Sequence, residues 1–132
     1  MPNVQKLEQV ASGILRQGET IEKKAVGRTI INSEAGNEIV DGFIGATAHH
    51  VIVLIYSIFG PKRLENFAYG QVTIPLFSEQ NRTLTLIAAN EPFFFTDVLG
   101  EPNPNDLVKF IREKKSTPKV TFEASDLAVK PK

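Results

Sequence analysis

Two adjacent histidines, His49 and His50, are the chain's only imidazoles, and the chain has no cysteine. Neighbouring side chains on a regular strand point to opposite faces, so the pair cannot close on one metal ion. No His or Glu at i+2 or i+4 completes a ligand set around them, and without thiolates no zinc site is expected. They read as turn residues. Nucleophilic catalysis finds no support either: there is no Gly-x-Ser-x-Gly elbow, and two histidines offer little choice of base. The stretch "GETIEKKAVG" lacks the glycine spacing and the terminal Lys-Ser or Lys-Thr of a phosphate loop. The expectation is a non-enzyme with no metal and no cofactor. Lys62-Arg63, after Gly60-Pro61, remains as a weak candidate for holding an anion.

The histidines open "HHVIVLIYSIFGPKR", whose apolar run, Val51 to Phe59, is about half the roughly 20 residues a membrane helix needs. No transmembrane segment is expected; the run fits a strand buried on both faces. Elsewhere the composition is that of a globular domain. Hydrophobic residues make up 42% and charged residues 23%, close to the globular norm, in a chain long enough for one sizeable core. Fifteen bases balance fifteen acids, so no global field attracts nucleic acid or an anionic surface. The lack of cysteine fits a reducing cytoplasm, and "MPNVQKLEQVASGILRQGE" has none of the layout of a signal peptide.

Residues 1–17 predict an amphipathic helix, with Val4, Leu7, Ala11 and Ile14 on one stripe and Gly18 as the stop. From Glu19 the period changes. Seven short segments rich in β-branched and aromatic residues follow: "TIEKKAVGRTII", "EIVDGFIGA", "HVIVLIYSI", "RLENFAY", "QVTIPLF", "RTLTLIAA" and "PFFFTDV". Turn-forming residues separate them, the pattern of an antiparallel meander or barrel. Pro75 inside the fifth segment cannot donate to a ladder, so that strand must be an edge or carry a bulge. A final helix is announced by Asn103 as cap, Pro104 at the first helical position and Asp106 in the first turn, with Leu107, Phe110 and Ile111 as its apolar stripe. Residues 116–132 form a tail, either loose or adding a strand through "KVTFEASDLAV".

Seven antiparallel strands followed by one amphipathic helix resemble the pleckstrin-homology-like (PH-like) barrel, and several motifs resemble its bacterial branch. Gly18-Glu19 opens the first strand region. Thr47 precedes a tight turn into an apolar third strand in "GATAHHVIVLIYSIFG", and "GPKRLENFAYGQV" carries a strand to an aromatic end. The likeness spans Leu15 to Lys115, giving a PH-like domain over residues 18–115. It departs at Ala48-His49-His50, where the family often carries bases. The resemblance implies a mainly β barrel plugged by its C-terminal helix, here with an extra N-terminal helix.

In the family, lipid-binding members surround inositol phosphates with bases on the first two strands and their loop. Here that loop is "NSEAGN" with Glu34, the second strand contributes two acids, and Glu91 lies on the same rim. Phosphoinositides should therefore be held weakly. Regular alternation places Val72, Ile74 and Leu76 in the core with Leu84, Leu86, Phe93 and Phe95. It leaves Phe77, Ile87 and Phe94 outward beside Pro75, unless a bulge shifts the parity. Such a patch needs a cover: the N-terminal helix, the tail or a second subunit. The reading is a non-catalytic binding and assembly module making protein contacts, self-association included; the alternative is a lipid or small-ligand binder.

Overall fold

Helix and sheet fall on either side of the change in hydrophobic period, but the helix ends at Ile14, short of the expected stop at Gly18, and the first strand begins only at Lys23. A computed structural model describes residues 4–34, 36–100 and 103–116. Helix α1 (Val4–Ala11) runs on as a 3₁₀ turn, Ser12–Ile14, and the strands follow: β1 Lys23–Ser33, β2 Gly36–Ala46, β3 His50–Ser57, β4 Gly60–Ala68, β5 Leu76–Ser78, β6 Thr83–Ala88 and β7 Glu91–Gly100. Helix α2 (Pro104–Ser116) closes the described chain. All pairings are antiparallel, in one sheet of order β4-β3-β2-β1-β7-β6-β5. β4 and β5 stand at its two ends, so the sheet curls without closing. The fold is mainly β, consistent with a PH-like barrel plugged by a C-terminal helix.

The apolar run of β3 explains why the sheet needs two covers. Val51, Val53 and Ile55 point inward, to a core shared with Ile44, Leu84, Leu86, Phe93, Phe95, Leu107 and Ile111. Ile52 and Leu54 point outward and join Val26 and Phe43 beneath Leu7 and Ala11 of α1. Each such side chain contributes roughly 1.5–3 kcal/mol when fully buried. The burial ends at Ser57. Ile58 and Phe59, expected to finish the buried strand, form the exposed tip of the β3–β4 hairpin.

Helix α2 fills the inner core. Asn103 Oδ1 accepts the Asn105 N–H at 2.9 Å, Leu107 and Ile111 are fully buried, and Phe110 is half-buried against the same cluster. Val108, outside the predicted stripe, is buried as well. Inside the curled sheet the Phe95 ring lies over Gly42. A Cβ there would sit 2.3 Å from the ring, so that position is closed to any larger residue.

The fifth strand departs from regular alternation. The strand begins only after Pro75, and Val72 makes an isolated bridge to Ala88. Residues 73–75 adopt no regular structure, and parity slips across them. Val72 is buried as expected, but Ile74 and Leu76 are exposed and Phe77 turns in to pack on the core. The proline shifts the phase of the strand it precedes, and β5 is an edge strand. The tail expectation lies on residues outside those described.

Candidate interaction surface

The most chemically suggestive cluster surrounds the turn between β2 and β3. Thr47 is fully buried. Its hydroxyl donates to Glu19 Oε2 at 2.6 Å and accepts the N–H groups of His49 (3.1 Å) and His50 (2.9 Å). His50 Nδ1 lies 2.9 Å from the same carboxylate oxygen, and the Arg16 N–H donates to Glu19 Oε1 at 3.1 Å. Burial pushes the Glu19 carboxyl upward, but the hydrogen bonds from His50, Thr47 and Arg16 outweigh it and hold the pKa at about 2. Below the turn, the Tyr69 hydroxyl donates to the Thr47 carbonyl at 2.5 Å, and burial, then the charges of Glu19 and Glu22, drives its pKa up. Lys115 of α2 donates to the Tyr69 carbonyl at 2.9 Å. The cluster ties the segment leading into β1, the β2–β3 turn and the plugging helix together. It is a latch.

His49 and His50 diverge at that turn, His49 toward solvent. Among the described residues, no three His, Asp or Glu side chains converge in a way that could hold a metal ion.

The basic pair divides. Arg63 is engaged within the protein: its guanidinium bonds Glu65 and Glu91 and lies over the Phe93 ring, 5.0 Å from the centroid. These carboxylates raise the Arg63 pKa further, and Arg63 in turn lowers that of Glu91. A guanidinium so engaged has little left for a phosphate. Lys62 is exposed at a one-residue register shift of the β3–β4 pairing, Tyr56 facing Pro61 and Ile55 facing Arg63.

The apolar candidates also divide. Phe77 faces inward under the Arg82 guanidinium, which lies 5.4 Å from its ring centroid, and Pro75 is buried. Ile87 and Phe94 point outward and are exposed. Leu76 takes the outward place expected of Phe77. Leu76, Thr85 and Phe94 pair in register across β5, β6 and β7, with Ile87 opposite Pro92 in the next row. Leu76 is 74% exposed and Phe94 52%. None of these five side chains is ionisable; Asp97, with φ of 52°, stands beyond the paired rows where β7 carries an extra residue against β1. Outward parity carries the pattern further. Arg28 of β1 faces Thr96, two residues on come Ile30 and Phe94, and exposed Ile30 opposes exposed Ile39 of β2.

Helix α1 covers the outward face of β1–β3 near Phe43 and leaves the β5–β7 face bare. Of the three expected covers, the N-terminal helix is therefore excluded. Sequence alternation missed Leu76 and Ile74; the signal was Pro75, whose fixed backbone breaks the strand before it can impose a phase.

No protein-family model and no curated protein matches the chain. It is similar to the crystal structure of the C-terminal domain of an unknown protein from Leishmania infantum. That likeness has a TM-score of 0.54 at 13% identity and covers 85% of this chain and 98% of that one, which is a likeness of fold alone.

Proposed function

We propose that the chain is a non-catalytic binding and assembly module of the bacterial PH-like type, making protein–protein contacts that include self-association. The observation that carries this reading is the uncharged outward face of β5–β7, with Leu76, Phe94 and Ile87 exposed in neighbouring rows. Interface cores are poor in charge and rich in aromatic side chains, and an exposed apolar face of this kind is seldom left bare in water. A two-fold contact sets each patch against its own copy, so a face without charge meets no like-charge repulsion. β5 is an edge strand, and an edge of this kind can take up a second strand. Against catalysis stands the latch, whose buried hydroxyl and carboxylate bond to one another.

The test is sedimentation velocity over a wide concentration range, with Phe94→Asp as the variant. Wild type should gain mass with concentration, and the variant should remain a monomer with unchanged circular dichroism. A monomer at every concentration, identical in the two proteins, would overturn self-association.

A further inference from the structure

The most exposed large apolar residues described are neighbours: Ile58 at 89% and Phe59 at 81%, together at the β3–β4 tip. We propose that this tip inserts into the interfacial zone of a phospholipid bilayer. The tip joins β3 and β4, at the other end of the strand order from β5–β7, and uses no inositol-phosphate pocket.

Pairing, a side-chain bond and a glycine turn define the shape of the tip. Ser57 pairs with Gly60, the Ser57 hydroxyl accepts the Phe59 N–H at 3.1 Å, and Gly60 takes the turn at a φ of 112° that other residues resist. The surroundings suit a boundary between oil and water. The Lys62 ammonium lies 5.9 Å from the Phe59 ring centroid, placed to reach headgroups while the ring goes deeper. Behind the tip a groove of about 630 Å³ is lined by Lys6, Arg28, Ile39, Asp41, Tyr56 and Ile58. There the Lys6 ammonium lies 5.4 Å from the Tyr56 ring centroid. Tyrosine and lysine behind an apolar point are the side chains that settle at headgroup level.

Size favours lipid over protein. The tip presents two large side chains, with Ile39 across the groove as their apolar neighbour, far short of the about 800 Å² per partner that a stable protein contact buries, whereas a bilayer accepts small apolar points. Charge agrees. Arg63 is committed to Glu65 and Glu91, leaving Lys62 as the cation beside the ring, so attraction to anionic lipid is mild.

The chain contains no tryptophan, so Phe59→Trp makes the tip the sole source of indole fluorescence. The expected result is a blue shift on adding phosphatidylcholine vesicles, with partitioning about fivefold stronger when phosphatidylglycerol is included. The double variant Ile58→Ser/Phe59→Ser, in otherwise wild-type protein, should keep the wild-type melting temperature, because both side chains are exposed. Its vesicle co-sedimentation should fall by about tenfold or more for each side chain removed. Unshifted emission with vesicles would overturn the proposal, as would undiminished co-sedimentation of the double variant. A blue shift that grows with protein concentration in the absence of lipid would also overturn it, by placing the tip in a protein contact.

Discussion

Replacing Thr47 by Val keeps the shape of a fully buried side chain and removes one hydroxyl, which makes it a sharp probe of the latch. That hydroxyl makes one charge-assisted bond to Glu19 and accepts two backbone N–H groups. A hydrogen bond to a charged group is worth roughly 1.5–3 kcal/mol, and an unsatisfied buried donor costs about 1–3 kcal/mol. Glu19 keeps His50 and the Arg16 N–H, and His49 lies near solvent, so the losses do not simply add. The expected destabilisation is about 2–4 kcal/mol, read as a lower urea midpoint at unchanged slope. Thr47→Ser restores the hydroxyl and should recover most of it. The same variant changes the response to acid. The folded pKa of Glu19 is depressed from 4.5 to about 2, so its contribution is complete above the ordinary carboxylate range and fades as pH falls toward 2. Wild type should lose stability across that window more steeply than Thr47→Val. A variant within about 0.5 kcal/mol of wild type, with the same acid profile, would refute the latch.

Ile111→Ala should cost roughly 2–5 kcal/mol, since it removes a fully buried side chain from the plug, whereas Lys109→Ala on the exposed side of α2 should change little; thermal melts compare them. Gly42→Ala should cost about 1–3 kcal/mol because the new methyl meets the buried Phe95 ring, and urea denaturation measures it. Titration calorimetry with inositol hexakisphosphate should show no saturable micromolar binding, and Lys62→Ala should leave the trace unchanged, because Glu65 and Glu91 hold Arg63.

Much of the architecture was written in local patterns. The period change at Glu19, the capping sequence Asn103-Pro104 and the apolar run of β3 each report short-range physics; helix α2 begins where its cap placed it, whereas β1 starts only at Lys23 and β3 ends at Ser57. The errors arose where phase mattered. Alternation carried through Pro75 as if the strand were continuous, exchanging the roles of Leu76 and Phe77. The apolar run was carried past Ser57 into the tip, although Gly60 with its positive φ was the sign of a hairpin turn that ejects the two residues before it. Of the latch, Gly18-Glu19 and Thr47 stand out as separate motifs, but not their contact. Glu19 and Thr47 are far apart in sequence, and only the pairing of β1 with β2 brings the ends of those strands together.

The most direct test of the central claim follows a single thiol on the uncharged face. Thr85 lies between Leu76 and Phe94 in their cross-strand row, and the chain has no cysteine of its own. In Thr85→Cys, reaction with a thiol reagent should be fast in dilute solution and slow progressively as protein concentration rises and the face is covered by a second copy. A rate that stays the same at every concentration would contradict assembly through this surface.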